Sequence, residues 1–293
     1  MNEAAIVSAR NNKQEIGYEE VDYAIDRLTV GMVKTTGTSF PDRQRLVAYH
    51  EAGHAIMGAL TPDYDQVAKV TILPRTNGAG GFTLFAPSEE RMSSVRRKWL
   101  ELSSPLVPPC NLSRTIFAPF PAVDEYLPVL LALSKMDGVF QGLYSKRYLE
   151  GQLAVALAGR VVEEMVFGAE EVTTGASGDL QQVQNIARRM VTQWGYAKDK
   201  LGAVAWEMPD GNGGFGPRAA SPEMEEMIDQ EVKLLVADAY KVCKDTMNAN
   251  RPLVEDLTEM LIEKETVDYK ELEALITKYH PDGIPGLTPA VAA

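Results

Sequence analysis

His50-Glu51-Ala52-Gly53-His54 holds two of the chain's three histidines, four positions apart. On a helix, that spacing sets both imidazoles on one face, about one turn apart, where they can grip a single Zn²⁺. Glu51 beside them is the residue type that takes a proton from a metal-activated water and passes it to a leaving amine. Zinc lowers the pKa of such a water toward roughly 7 and polarises a scissile carbonyl. The pattern therefore points to metal-assisted hydrolysis of a peptide bond. The same five-residue pattern also arises by chance on surface helices. Here the helix signals around it and the scarcity of histidine favour the chemistry. Gly53 adds weight, because a mid-helix glycine costs on the order of 1 kcal/mol against alanine and calls for a packing or access reason.

A catalytic zinc needs a third protein ligand and an open position. The extended pattern with a third histidine fails, since Met57 stands where its glycine would be and no histidine follows nearby. His280 lies far away, toward the C-terminus. A carboxylate is then expected, and Asp179 is the candidate, after Thr173-Thr174-Gly175-Ala176-Ser177-Gly178 at the start of a helix. From the residues alone, Asp179 is equally well explained as a charge complementing that helix's dipole.

The elements that must position these residues follow from periodicity and breakers. Pro41 opens a helix that Thr61-Pro62 ends near residue 60, with Leu46, Tyr49, Gly53, Ile56 and Leu60 as its apolar stripe. Residues 69–73 and 81–86 read as two short strands joined through Asn77-Gly78. Residues 148–167 are apolar on most sides and predict a central buried helix. A further helix over 179–194 carries Val183, Ala187, Met190 and Trp194 on one face, with Gly195 as its stop. The glycine-rich stretch 210–222 reads as a mobile loop, followed by helices over 223–248, 252–265 and 269–279. Asp268 and Glu271 have the spacing of a capping box for the last. Two short helices, 3–11 and 18–27, precede a linker at 31–40. The expected fold is mainly α with a small β-sheet.

Composition narrows the class. With 45% hydrophobic and 24% charged residues in 293, the chain reads as soluble and globular. No apolar run is long enough for a transmembrane segment, and the first residues lack the pattern of a signal peptide. A net charge of −12 argues against nucleic acid. Cys110 and Cys243 cannot build a disulfide framework, which fits a reducing compartment.

Several ordered motifs resemble the FtsH family of AAA-type, zinc-dependent membrane proteases. They are Leu46-Val-Ala-Tyr-His-Glu-Ala-Gly-His54, Pro87-Ser-Glu-Glu-Arg91, Gly159-Arg-Val-Val-Glu-Glu164, Val172-Thr-Thr-Gly-Ala-Ser-Gly-Asp179 and Met190-Val-Thr-Gln-Trp-Gly195. The resemblance implies the family's helical peptidase-domain fold, with His50, His54 and Asp179 as zinc ligands and Glu51 as the base. Glu163 matches an acidic residue near the family's site and would orient a ligand histidine; an ion pair with Arg160 is the competing reading. Gly81, Phe82, Thr83 and Leu84 resemble the start of the edge strand beside the zinc, on which an extended substrate pairs. A purely structural edge strand is the alternative.

The resemblance also implies unfolded or damaged polypeptides as substrates and a homo- or hetero-hexameric ring. Met224, Ile228, Val232, Leu235, Ala239 and Val242 would serve such ring contacts or a core within one chain. Phe85-Ala-Pro-Ser-Glu-Glu-Arg91 looks like the plastid and cyanobacterial branch, suggesting thylakoid association, with the mitochondrial inner membrane as the alternative. ATP is implied only for the family's full-length form, since no G-x-x-x-x-G-K-[ST] loop occurs in this chain. Residues 1–30 resemble the last helices of the ATPase lid, as if the front were truncated. The peptidase domain is expected over 41–280, with a tail at 281–293.

One departure from the family is an insertion at 95–141, holding Pro105, Pro108, Pro109, Pro119, Pro121 and Pro128 and no clear periodicity. Removing it joins Ser94 to Gly142 and restores the family's continuity. Val95-Arg96 and Phe140-Gln141 can be encoded by donor-like and acceptor-like codons. The segment therefore reads as a translated intron in preference to a regulatory loop, and is expected to be irregular. A zinc endopeptidase leads the functional readings. A non-catalytic assembly subunit of a hexameric protease ring and an orphan zinc-binding module compete with it.

Overall fold

The computed structural model describes residues 2–13, 15–29, 31–34, 41–62, 64–76, 78–86, 144–207 and 221–281. The insertion at 95–141, residues 35–40, most of the loop at 210–222 and the tail beyond Pro281 lie outside the described residues. One compact unit comprises residues 1–86 and 149–293, and a second comprises 87–148.

The chain starts with α1 (Asn2–Arg10) and α2 (Tyr18–Thr29), then α3 (Pro41–Leu60), β1 (Gln66–Thr71), β2 (Phe82–Ala86) and α4 (Lys146–Phe167). A 3₁₀ turn (Thr174–Ala176) leads into α5 (Ser177–Thr192), followed by the short α6 (Lys198–Leu201). After it come α7 (Pro222–Ala249), α8 (Arg251–Lys264), β3 (Thr266–Asp268) and α9 (Tyr269–Tyr279). The fold is mainly α with a three-stranded antiparallel sheet in the order β2-β1-β3. No described helix is long and apolar enough to cross a membrane.

α3 is buried on more sides than its stripe predicts. Ala48, Ala52 and Ala55 are as enclosed as Ile56, and Leu46 and Leu60 are only half-buried. Small side chains let neighbours approach closely. An added Cβ on Gly53 would sit 2.8 Å from the Ala158 carbonyl oxygen of α4, which is the packing reason its cost requires. Leu253, Val254, Leu257 and Leu261 of α8, with Leu272 and Leu275 of α9, complete the same core.

Several expectations shift. β1 starts and ends earlier than the predicted 69–73, and a register irregularity between Val67 and Lys69 interrupts its pairing with β2. Trp194 lies past the end of α5, which stops at Thr192 ahead of the positive-φ Gly195, and it is 41% exposed, off the buried face of the helix. In α7 the buried row runs Ile228, Ala239, Cys243, Met247, leaving Val242 exposed. Residues 31–34 are not a free linker: Val33 bridges to Arg75, the Lys34 amide donates to the Pro74 carbonyl, and the Thr76 amide donates to Met32. Asp268 takes the N-cap position of α9 without a side-chain bond to it, while its own amide donates to the Glu271 carboxylate, half of the expected box. β3 was not foreseen. Glu265 makes it possible by turning the chain at φ 61°, while its carbonyl accepts from the Ile72 amide and the Thr71 hydroxyl.

Candidate active site

α3 carries His50 and His54 on one face, with ring centroids 4.7 Å apart and their Nε2 atoms separated by 3.1 Å. Each ring is set from behind. His54 Nδ1 donates to the Val155 carbonyl at 2.8 Å, and His50 Nδ1 to Glu163 Oε1 at 2.8 Å. Both bonds direct the Nε2 atoms toward one point. Glu163 is fully buried, and its other oxygen accepts from the Thr173 amide and hydroxyl at 3.0 Å each. Of the two readings for this residue, the structure brings it to His50.

Asp179 enters from the first turn of α5. Thr173 caps the preceding 3₁₀ turn by accepting from the Gly175 amide, and so fixes where the helix begins. Asp179 Oδ2 lies 3.2 Å from His50 Nε2 and 3.5 Å from His54 Nε2. His280, by contrast, sits against Asn250, apart from this group.

The donor set fits a zinc ion. Two imidazole nitrogens and a carboxylate oxygen that close together repel one another through their lone pairs unless a cation or proton lies among them. A tetrahedron with metal–ligand distances of about 2.0–2.1 Å has edges of roughly 3.3 Å. The three observed separations, 3.1, 3.2 and 3.5 Å, bracket that value. Burial opposes the charged form of the His50 imidazole, but its hydrogen bonds to Asp179 and Glu163 outweigh it and push its pKa up to about 10. Burial likewise works against the Asp179 carboxylate, and the two histidines still keep its pKa well below the ordinary range.

Glu51 is buried beside this cluster, and burial pushes its pKa up against the opposing pull of the histidines. The Thr83 hydroxyl, on β2, donates to Glu51 Oε2 at 2.9 Å. A cleft of about 320 Å³ opens over His50, Glu51, His54 and Asp179, with Tyr64 and Phe85 among its apolar walls. Gly81, Phe82 and Thr83 line it too. Gly81 lies just before the strand, and Leu84 follows in register opposite Lys69. The outer edge of β2 has no partner strand among the described residues.

Sequence reasoning missed Gly159. A Cβ there would stand 2.5 Å from His50 Cε1, so the ring occupies the space that any other residue would fill. The cost argument applied to Gly53 could have found it, since Gly159 also sits inside a helix, four residues before Glu163. It missed Thr83 as the partner of Glu51 as well, and no sequence signal marks that contact.

A model of peptidase family M41 matches residues 39–103 and 130–275. The chain is 43% identical over 281 residues to the ATP-dependent zinc metalloprotease FtsH 3 of Synechocystis sp., covering 94% of this chain and 38% of that protein. It is 40% identical over 280 residues to the chloroplastic ATP-dependent zinc metalloprotease FTSH 1 of Arabidopsis thaliana, covering 94% of this chain and 32% of that one. The chain thus spans about a third of the length of these relatives. The stretch that the family model skips falls inside the insertion, and the matched flanks carry the histidine and aspartate helices in order. On that match, the chain belongs to peptidase family M41.

Proposed function

We propose that this chain is the proteolytic part of an ATP-dependent protease, a zinc endopeptidase in which His50, His54 and Asp179 hold the metal. The observation that carries the reading is the convergence of three ligand-type atoms at tetrahedral spacing, with both Nδ1 atoms already engaged. A bound zinc would supply Lewis acidity, activating water and polarising the scissile carbonyl. Glu51 takes the proton of the attacking water and delivers it to the leaving amine, steadied by the Thr83 hydroxyl. Glu163 keeps the His50 ring oriented, and Gly159 leaves it room. An extended substrate adds to the open edge of β2 through backbone hydrogen bonds, which gives cleavage with loose sequence preference.

The relatives' names carry ATP dependence, and from the family resemblance we infer a wider setting: ATP-driven unfolding by a module not present in these residues, unfolded or damaged polypeptides as substrates, and a hexameric ring. Chloroplastic and cyanobacterial relatives favour a thylakoid-associated parent over a mitochondrial one. Residues 1–30 then correspond to the end of the ATPase lid, and 41–280 to the peptidase domain. Zinc content and casein cleavage test the core of the reading. Wild-type protein should hold about one zinc and cleave. Glu51→Gln should keep the metal and lose roughly 10²–10⁴-fold in rate. Zinc without cleavage by the wild type would favour the non-catalytic assembly subunit.

A further inference from the structure

Asp26 of α2 is buried between two cations. Arg75 Nη2 lies 3.0 Å from its Oδ2, and Lys69 Nζ lies 3.4 Å from the same oxygen. Arg75 is 3% exposed, and its Nη1 donates to the Gly31 carbonyl at 3.2 Å. Its backbone is held as well, by the bridge to Val33 and by its amide donating to the Ala79 carbonyl. The guanidinium carbon stands 4.9 Å from the centroid of the Phe82 ring. Phe82 opens β2 and lines the cleft, and Lys69 sits opposite Leu84 of the same strand. One side chain therefore touches α2, the segment that follows it and the strand lining the cleft over the candidate catalytic residues.

We propose that Arg75 is a positioning residue that ties the placement of β2 to the placement of the N-terminal helices. A shift of α2 must carry Arg75 and Lys69 with it or leave a buried charge uncompensated, and the second course is strongly disfavoured. Arg75 passes the shift on because its planar fork cannot keep Asp26, Gly31 and the Phe82 ring together in any other pose. The substrate edge is thereby placed by contacts of residues that are not themselves metal ligands. The inference rests on the endopeptidase reading only in taking β2 as the substrate strand.

Hydrogen exchange on the full chain, with Asp26→Asn, Arg75→Gln and the double variant, tests it. Asp26→Asn should speed exchange of the amides at 82–86 about tenfold, in addition to those at 32–34. The double variant should exceed Arg75→Gln at 82–86 by much less than the effect of Asp26→Asn alone, because the two changes share the Asp26–Arg75 connection and only the weaker Asp26–Lys69 contact is additional. For a fluorogenic extended peptide, KM should rise about tenfold while kcat and zinc content hold. Acceleration confined to residues 2–34, additive effects at 82–86, or a fall in kcat with KM unchanged would each overturn the proposal. If Arg75→Gln does not fold, Arg75→Lys takes its place: it keeps the charge near Asp26, loses the planar contact with Phe82, and must still speed exchange at 82–86. A wild-type protein that cleaves nothing but shows the coupled exchange would dismiss the endopeptidase reading and leave the tie intact.

Discussion

The core is built in two contrasting ways. Where α3 meets α4, side-chain volume has been removed: Gly53 admits the Ala158 carbonyl, and Gly159 admits the His50 ring. In α8 and α9 volume has been added, with Leu253, Leu257, Leu261, Leu272 and Leu275 filling the interior. The first arrangement fixes the position of polar groups at the expense of apolar area. The second contributes burial, at roughly 25 cal/mol per Å², and asks little of any one atom's placement. Function and stability are thus drawn from different residues of one continuous core.

The comparison can be broken by experiments that tax one side at a time. The largest effect on the site should come from His54→Ala or Asp179→Ala, each weakening zinc by more than the roughly 100-fold that loss of a supporting partner costs. Competition with a chromogenic chelator measures this, and an Asp179→Ala variant with full affinity would remove Asp179 from the ligand set. Gly159→Ala should cost about 10–100-fold in zinc affinity, since its methyl must displace the ring, and Glu163→Gln about as much. Leu257→Ala should do the reverse. Urea unfolding should show a loss of about 2–5 kcal/mol, while zinc affinity of the folded protein stays within about twofold. An equal loss of zinc there would mean that the two sides are not separable.

Cys243 sharpens the stability side. Burial pushes its thiol up to about 12 from an ordinary value of 9.0. A raised acid favours the folded state below its unfolded pKa, so this contribution is whole up to about pH 9 and lost as the pH climbs toward 12. Cys243→Ala should flatten that part of the stability profile measured by denaturation between those values. The smallest effect is expected from deleting residues 95–141 and joining Ser94 to Gly142, which should leave zinc affinity and Tm nearly unchanged. If the segment is a translated intron, the mature transcript will lack it. A message that carries it, with its peptides present in the cell, would make it an inserted loop.

How far the sequence alone reaches depends on the range of the interaction. The histidine turn, its helix and the C-terminal helices were readable because their signals are local: spacing of four, Pro41, Thr61-Pro62. Asp179 was ambiguous for the same reason, since a carboxylate at a helix start has a local explanation whether or not it meets a metal. Val242 was chosen over Cys243 because steps of three and four both suit a helix face, and only packing decides between them. Gly159 against His50, Thr83 against Glu51 and Asp26 against Arg75 join distant elements, and no periodicity announces them. β3 is too short to show any.

The sheet order has a consequence for how the protein is made. β1 finds β2 soon after it leaves the ribosome, but its other edge waits for β3, and the Thr71 hydroxyl meets Glu265 and Thr266 across 194 and 195 positions. At ordinary elongation rates that interval lasts roughly 10–40 s. For most of it, the histidine-bearing helix is already translated while α8 (Arg251–Lys264), which seals its core, is not. Over that interval the nascent chain therefore carries an open strand edge and an apolar helix whose cover is incomplete, a state prone to pairing with other chains. Interruption of translation anywhere before Thr266 leaves the first-made part of the site without the last-made part of its frame.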